Sequence, residues 1–409
     1  MTALPSAIAQ RMLDAARASL LVAAAALPLS TAATNAFAAL AFLFWALAGQ
    51  WRATALAVRA EPTAWLGCAL FGALAMGIAW SLVPAQQAAF ALLKYRELML
   101  FCVVAFLCVE ERWRQRVLRF FFAGAFVLLC LSVAVQLGLL SYADERGFSS
   151  ESNAVLLKNH ITHGFLMSLL AYGSALVALR SAGWRRWVLA AIAVLATVNV
   201  WFAVQGRTGY VVMAVLILWF GYARWSLRGL AAAAIGLVLL LGAAYQWAPT
   251  FQKRINEAAE EARDYRVRAQ PGETSIGSRL HYWKRSAQWM ARHPALGAGT
   301  GGWAEAFYEA TEGDDAFMHN RDRDHPHNEY VHLTVQLGPL GLVLFIALLV
   351  VAFRRAARLP GDYAALAQGF VLAFAVGCLF SDFLYDTTEG HLWAVVGGAL
   401  FGAAPREAA

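Results

Sequence analysis

Histidine, arginine and carboxylate side chains crowd together in only a few places in this chain, and the densest is His319 to Gly341. It holds His319, Asp322, Asp324, His325 and His327, followed by Asn328. Histidine exchanges a proton near neutral pH, so the stretch can supply acid/base chemistry. Mixed His and Asp ligands would also suit zinc or manganese, but Arg321 and Arg323 interrupt the run, and metal is set aside. Lys94-Tyr95-Arg96-Glu97 lies inside a long apolar run, where charge is costly and often marks function. Lys94 and Glu97, three residues apart, can pair on one helix face, which leaves Arg96 to face a cavity and bind an anionic group. Lys158, His160 and His163 open another apolar run, with both histidines on one face, placed to touch a ligand or cap the helix. Asp382, Asp386 and Glu389 share a short turn without a cation nearby in sequence. One of them could orient a base or bind a ligand, although solvation is the plainer reading of each.

The elements that must position these residues are dictated by composition. Of 409 residues, 60% are hydrophobic and only 14% charged, with a mean hydropathy of +0.54, far from the soluble norm. The chain reads as an all-α polytopic membrane protein. Twelve apolar runs have the length needed to cross about 30 Å of hydrocarbon: 16–33, 35–51, 63–83, 88–109, 117–140, 160–179, 187–205, 208–223, 229–247, 329–353, 362–381 and 391–404. The net charge of +7 does not point to nucleic acid, because the arginines punctuate apolar runs and form no basic stripe. Short loops carrying Arg52, Arg59, Arg112, Arg114, Arg116, Arg119, Arg180, Arg185, Arg186, Arg224, Arg228, Arg354, Arg355 and Arg358 would face the cytoplasm, placing both termini inside. The long polar segment then lies outside, as do the histidines. The five cysteines sit within apolar runs as small hydrophobes, without disulfide or zinc spacing. Three units follow: 1–247 with nine spans, 248–328 as an outer loop subdomain, and 329–409 with three spans and a short cytoplasmic tail.

Within the outer segment, 251–269 has helical spacing and alternating charge. A Pro271-Gly272 turn ends it, Ser275 or Ser278 can cap a second helix, and Trp283 and Trp289 lie on that helix's apolar side. The glycine-rich stretch from His293 to Trp303 reads as a flexible loop.

His327-Asn328, nine residues, then Gly338 and Gly341 reproduce a signature associated with bacterial O-antigen ligases. Ser278-Arg279 with Trp283, His293-Pro294 with Gly297 and Gly299, and the Gly206-Arg207-Thr208-Gly209 break resemble the wider superfamily of O-antigen ligases, O-antigen polymerases and pilin O-oligosaccharyltransferases. The resemblance implies a type C-like membrane glycosyltransferase working at the periplasmic face of the bacterial inner membrane. Its donor would be undecaprenyl-pyrophosphate-linked O-antigen and its acceptor the lipid A core, with membrane lipid as surroundings and no cofactor, nucleotide or metal. It assigns catalytic roles to His327, Arg207 and Arg279.

The residue types agree with that chemistry. A lipid pyrophosphate donor contains its own leaving group, so the protein must stabilise growing negative charge and remove a proton from the acceptor hydroxyl. Arg207 precedes the Thr208 start of a span, Arg279 opens an amphipathic helix, and Pro326 would be the first residue of the tenth span, which places all three motif residues at helix N-termini that favour an anion. Blander roles stand beside these: a snorkelling Arg207, an Arg279 paired with Glu273, a capped surface histidine at 327. A polymerase uses the same donor, and a twelve-span transporter or flippase would share the layout, but its charges would lie near the midplane and in both halves.

Overall fold

The computed structural model describes residues 6–140, 155–264, 274–311 and 325–402. His319, Asp322, Asp324 and Glu273 lie outside them. Hydrocarbon offers no partner to an open backbone group, so apolar runs of this length must fold as helices, and the described residues contain no strand.

The first half runs α1 (Ala7–Ala26), α2 (Thr31–Leu47), α3 (Trp51–Ala60), α4 (Pro62–Gly77), α5 (Ala85–Lys94), α6 (Glu97–Leu107), α7 (Glu111–Gln136), α8 (His160–Arg180) and α9 (Trp184–Val198). The second runs α10 (Arg207–Trp247), α11 (Pro249–Asp264), α12 (Ser275–Arg292), α13 (Trp303–Ala310), α14 (Glu329–Leu337), α15 (Pro339–Ala356), α16 (Asp362–Gly377), α17 (Thr387–Leu392) and α18 (Gly398–Phe401). Among the described residues, six stretches are long and apolar enough to cross a bilayer: Pro62–Trp80, Glu111–Gln136, His160–Arg180, Trp184–Ala203, Arg207–Trp247 and Pro339–Ala356. The pair Thr31–Leu47 and Trp51–Ala60, bent by 112°, would make a seventh. The chain is a helical membrane protein.

Several expected spans are broken where their sequences carry a reason to break. The run 88–109 is interrupted at Tyr95-Arg96, between α5 and α6. The run 329–353 turns at Gly338 (φ 65°), between α14 and α15. The last run is a six-residue helix, a π turn over Trp393–Gly397 and a four-residue helix.

The 41 residues of α10 are a folded pair of arms. A straight helix of that length would measure about 60 Å, yet Tyr210 near its start and Phe251 just past its end have ring centroids 5.0 Å apart. The fold-back is at Trp225 and Ser226, whose backbones are not helical, so arms 207–224 and 227–247 each match an expected run. Both open ends of the pair lie at the end of the bundle that holds the polar cluster.

Over that end, α12 and α13 share a separate apolar cluster of Tyr282, Trp289, Trp303 and Phe307, closed by Val335 of α14. Thr274 caps α12, its side chain accepting from Gly277 N at 3.1 Å; this is the capping role expected of Ser275 or Ser278. The glycine-rich stretch is pinned, contrary to the expectation of a flexible loop. Ala298 N and Gly299 N donate to Val335 O and Gln336 O at 2.7 and 2.9 Å, and Thr300 N to Gly77 O at 3.1 Å. Gly301 N adds a 2.8 Å bond to Gln336 Oε1.

Candidate active site

His327 stands at a backbone bend. Its φ of 54° is left-handed, a conformation uncommon outside glycine, and the helix begins two residues later at Glu329. Asn328 is the cap, its Oδ1 accepting from Val331 N at 3.1 Å. Pro326 is therefore outside the helix, not its first residue, and Trp283 Nε1 holds its carbonyl at 3.1 Å. Arg207 is the first residue of α10, as expected, whereas Arg279 is the fifth of α12.

Beside this bend, the turn after α16 delivers Asp382, which is 0% exposed. The turn is fastened to α14 by Glu329, whose N donates to Cys378 O at 2.9 Å and whose Oε2 accepts from Leu384 N at 2.8 Å. His325 Nδ1 lies 2.7 Å from Asp382 Oδ2. On the other oxygen, His332 Nδ1 lies 3.1 Å from Oδ1, close enough to pair but out of hydrogen-bond alignment. Burial alone would raise the Asp382 carboxyl; the contacts with His325 and His332 outweigh it and hold the group well below the usual carboxylate range. Such a carboxylate fixes an imidazole with Nδ1–H toward it and Nε2 outward. The His325 and His327 rings meet edge to face at 4.5 Å.

His325, His327 and Asp382 also have ligand atoms within 4.8 Å of one another, as a metal site would. Both Asp382 oxygens already face a histidine, so a cation binding the carboxylate would have to compete with those contacts.

A basic flank adjoins this cluster. Arg279 is half-buried; burial and the neighbouring Arg207 weaken its hold on its proton, and Asp382 and Glu261 oppose them. That places Arg279 within electrostatic reach of both Arg207 and Asp382. Glu261 Oε2 sits 3.5 Å from Arg207 Nη2 and accepts from Ile276 N at 2.8 Å, tying α11 to the starts of α10 and α12. Arg254 of α11, hidden from sequence reasoning within an alternating-charge helix, joins the flank through Gln205 and pairs with Glu257 at 2.8 Å. The Gly-Arg-Thr-Gly break packs on α8: a Cβ at Gly206 would come within 2.5 Å of His160 O, and one at Gly209 within 2.9 Å of Gly164 Cα. This brings His160 to the edge of the arginines.

The other candidates form a second network. Lys94 Nζ lies 4.9 Å over the Tyr385 ring, whose centroid is 5.9 Å from that of His325. Lys94 does not contact Glu97: the break at Tyr95 lets Arg96 Nη2 reach Glu97 at 3.1 Å and Asn35 at 2.8 Å. Lys158 Nζ donates to Thr31 Oγ1 at 2.8 Å and Thr388 Oγ1 at 3.2 Å, and its burial lowers its pKa to about 8. Thr162 Oγ1 donates to Glu389, and Asp386 Oδ2 accepts from Ser381 Oγ at 3.0 Å. His163 belongs to the core, with Nε2 2.9 Å from Asn199 Oδ1.

No curated protein matches the chain. Residues 191–346 match the family model described as O-Antigen ligase. That segment carries Arg207, Arg254, Arg279, His325, His327 and His332, and stops short of Asp382. Over that segment the chain is similar to the O-antigen ligase family, whose ligases and polymerases are glycosyltransferase-like enzymes acting on lipid-linked polysaccharide.

Proposed function

We propose that the protein is an O-antigen ligase, transferring polysaccharide from undecaprenyl pyrophosphate to a sugar hydroxyl of lipid A core at the periplasmic face of the bacterial inner membrane. In this reading the chain crosses twelve times with both termini in the cytoplasm, and 248–328 is the outer subdomain. The observation that carries it is the buried Asp382 flanked by His325 and His332, beside His327 and within electrostatic reach of Arg279.

His327 accepts the proton of the acceptor hydroxyl, and the freed oxygen attacks the anomeric carbon. The bond from that carbon to the pyrophosphate oxygen breaks, and the electron pair leaves with the pyrophosphate. A single displacement of this kind inverts the anomeric centre. Arg207 and Arg279 stabilise the departing charge, with Arg254 behind them. Asp382 positions His325 against His327 and acts through it. Lys94, Arg96, Lys158, His160 and Asn328 line or brace the approaches, Asp386 and Glu389 shape the last turn, and His163 is a packing residue.

The test is transfer by purified protein in liposomes, with undecaprenyl-pyrophosphate glycan, lipid A core and chelator. Capped lipid A core is expected from the wild type, with a loss on the order of 10²- to 10⁴-fold in His327→Ala, the usual span of a general base. Near-wild-type transfer by that variant would remove the base assignment. Longer lipid-linked glycan without capped core would assign a polymerase. The cluster of His325, His327 and Asp382 also favours a metal reading, and abolition of transfer by chelator, restored by one cation, would establish it.

A further inference from the structure

A cavity of about 640 Å³ lies at the opposite end of the bundle from the site, between α7, α8 and α16. The distance follows from α8: His160 starts it beside the arginine flank and Arg180 ends it at the cavity, 21 residues and about 30 Å away, a full hydrocarbon thickness.

Its walls differ from top to bottom. At the rim, Glu111 Oε1 accepts from Gln115 Nε2 at 2.9 Å, and Arg180 is paired with Asp362. Further along α7 comes Arg119, two turns or about 12 Å beyond Glu111. It contacts only the neutral Gln115 Oε1, at 3.1 Å, and pairs with no described carboxylate. The rest of this wall is apolar, with Leu118, Phe122, Leu176 and Leu366 around Gly173. Around the rim charges of both signs meet: Arg112, paired with Glu110 at 2.7 Å, and Arg116 pack on Trp113, and Arg114 stacks 4.4 Å over Tyr363. Tyr172 OH donates to Ala365 O at 2.7 Å, fastening α8 to α16 below the opening.

We propose that this cleft is a binding site for an anionic glycerophospholipid, with its phosphate on Arg119 and an acyl chain along Phe122 and Leu366. An exposed lining arginine that pairs with no described carboxylate favours an anion, and the apolar wall beside it suits hydrocarbon. Arg180 is already paired with Asp362, which leaves Arg119, of the two arginines in the lining, as the one open to the phosphate. The lipid would wedge α7 against α8 and α16 at the end remote from the polar cluster.

The test compares wild type, Arg119→Gln and Arg116→Gln, each purified as the full chain in detergent, by native mass spectrometry and thermal unfolding. Phosphatidylglycerol, phosphatidylcholine and inorganic phosphate are added in turn. Saturable retention of phosphatidylglycerol over phosphatidylcholine is expected, with a Tm rise of a few degrees that inorganic phosphate does not reproduce. Arg119→Gln should lose the preference at least about 5-fold, and Arg116→Gln, on the same helix but outside the lining of the cleft, should keep it. Equal retention of both lipids, the same stabilisation by inorganic phosphate, or a wild-type preference in Arg119→Gln would overturn the proposal. Transfer activity is read separately, so either result leaves the ligase reading standing or falling on its own assay.

Discussion

Both ends of the bundle are rich in ionisable groups, but they group them differently. At one end Asp382, His332 and Glu329 are at most 1% exposed and held within two or three contacts of one another. At the other, Arg112 and Arg116 lie on the Trp113 face, and Arg180 is 64% exposed in its pair with Asp362. Exposed arginines at helix ends cost little and orient the chain. Buried carboxylates and imidazoles cost several kcal/mol each unless mutually satisfied, so a fold retains them where they serve something. The anchoring end buries charge too, in the Arg355–Glu61 pair at 2.8 Å, so the clustering of imidazoles around carboxylates, more than burial alone, separates the end that can do chemistry from the end that anchors.

Asp382→Asn strikes the buried end at its centre. The amide cannot hold two histidines as a carboxylate does, and the expected result is transfer lower by on the order of 10²-fold or more, comparable to loss of a positioned base. Stability should fall by about 3 kcal/mol, as for a buried pair deprived of its charge. The pH dependence is fixed in sign. The folded carboxyl lies below its ordinary value of 3.8, so its contribution is complete above roughly pH 4 and is lost as pH falls through the folded value. The difference in Tm between wild type and variant should stay constant from about pH 5 to 8 and shrink in acid. A difference that grew as pH fell would show that the charge is not what holds the histidines.

The same distinction explains what could be read from the sequence. Hydropathy locates α4, α7, α8, α9, α16 and both arms of α10, because a run of apolar residues in lipid has one structural solution. It misjudges 88–109 and 329–353, where single residues, Arg96 and Gly338, decide whether the helix continues. His327, Arg207 and Arg279 are legible as a motif, and the fold places Arg279 within reach of Arg207 and of Asp382 beside His327. Asp382 is legible only as one of three acids that could orient a base, because its partner His325 is 57 positions away and its own neighbours in sequence include no cation. Its burial is a tertiary fact. His163 erred the other way: a histidine at a helix start invites a ligand role, and only the position of Asn199 on the next helix shows that it is core. Lys94 and Glu97 share a helix face only if α5 and α6 are one helix, and they are not.

A smaller effect tests whether the pinned glycine stretch is part of the polar end's rigidity. Gly299 has φ +75°, and a Cβ there would come within 2.2 Å of Ser81 Cα, a backbone atom that cannot swing aside. Gly299→Ala should cost about 2–4 kcal/mol from the left-handed penalty and the overpacking together. Transfer at low temperature, where the variant is still folded, should fall less than in Asp382→Asn. A wild-type Tm would mean that the stretch is as loose as its composition suggests.

The smallest effect is expected at the anchoring end. Arg116 is exposed and its guanidinium lies 4.8 Å from the Trp113 ring centroid, a contact worth about 0.5–1 kcal/mol at a wet surface. Arg116→Gln keeps the length and polarity of the side chain and removes only its charge, so thermal stability should move by less than about 1 kcal/mol and transfer should be unchanged within twofold. The measurement is worth making because Arg116 and Arg279 carry the same group. If removing either charge depressed transfer alike, the arginines would act through the overall field of the protein, and the division between a chemical end and an anchoring end would fail. If only the Arg279 change matters, position against Asp382 and Arg207 is what turns a guanidinium from a topological marker into part of a site.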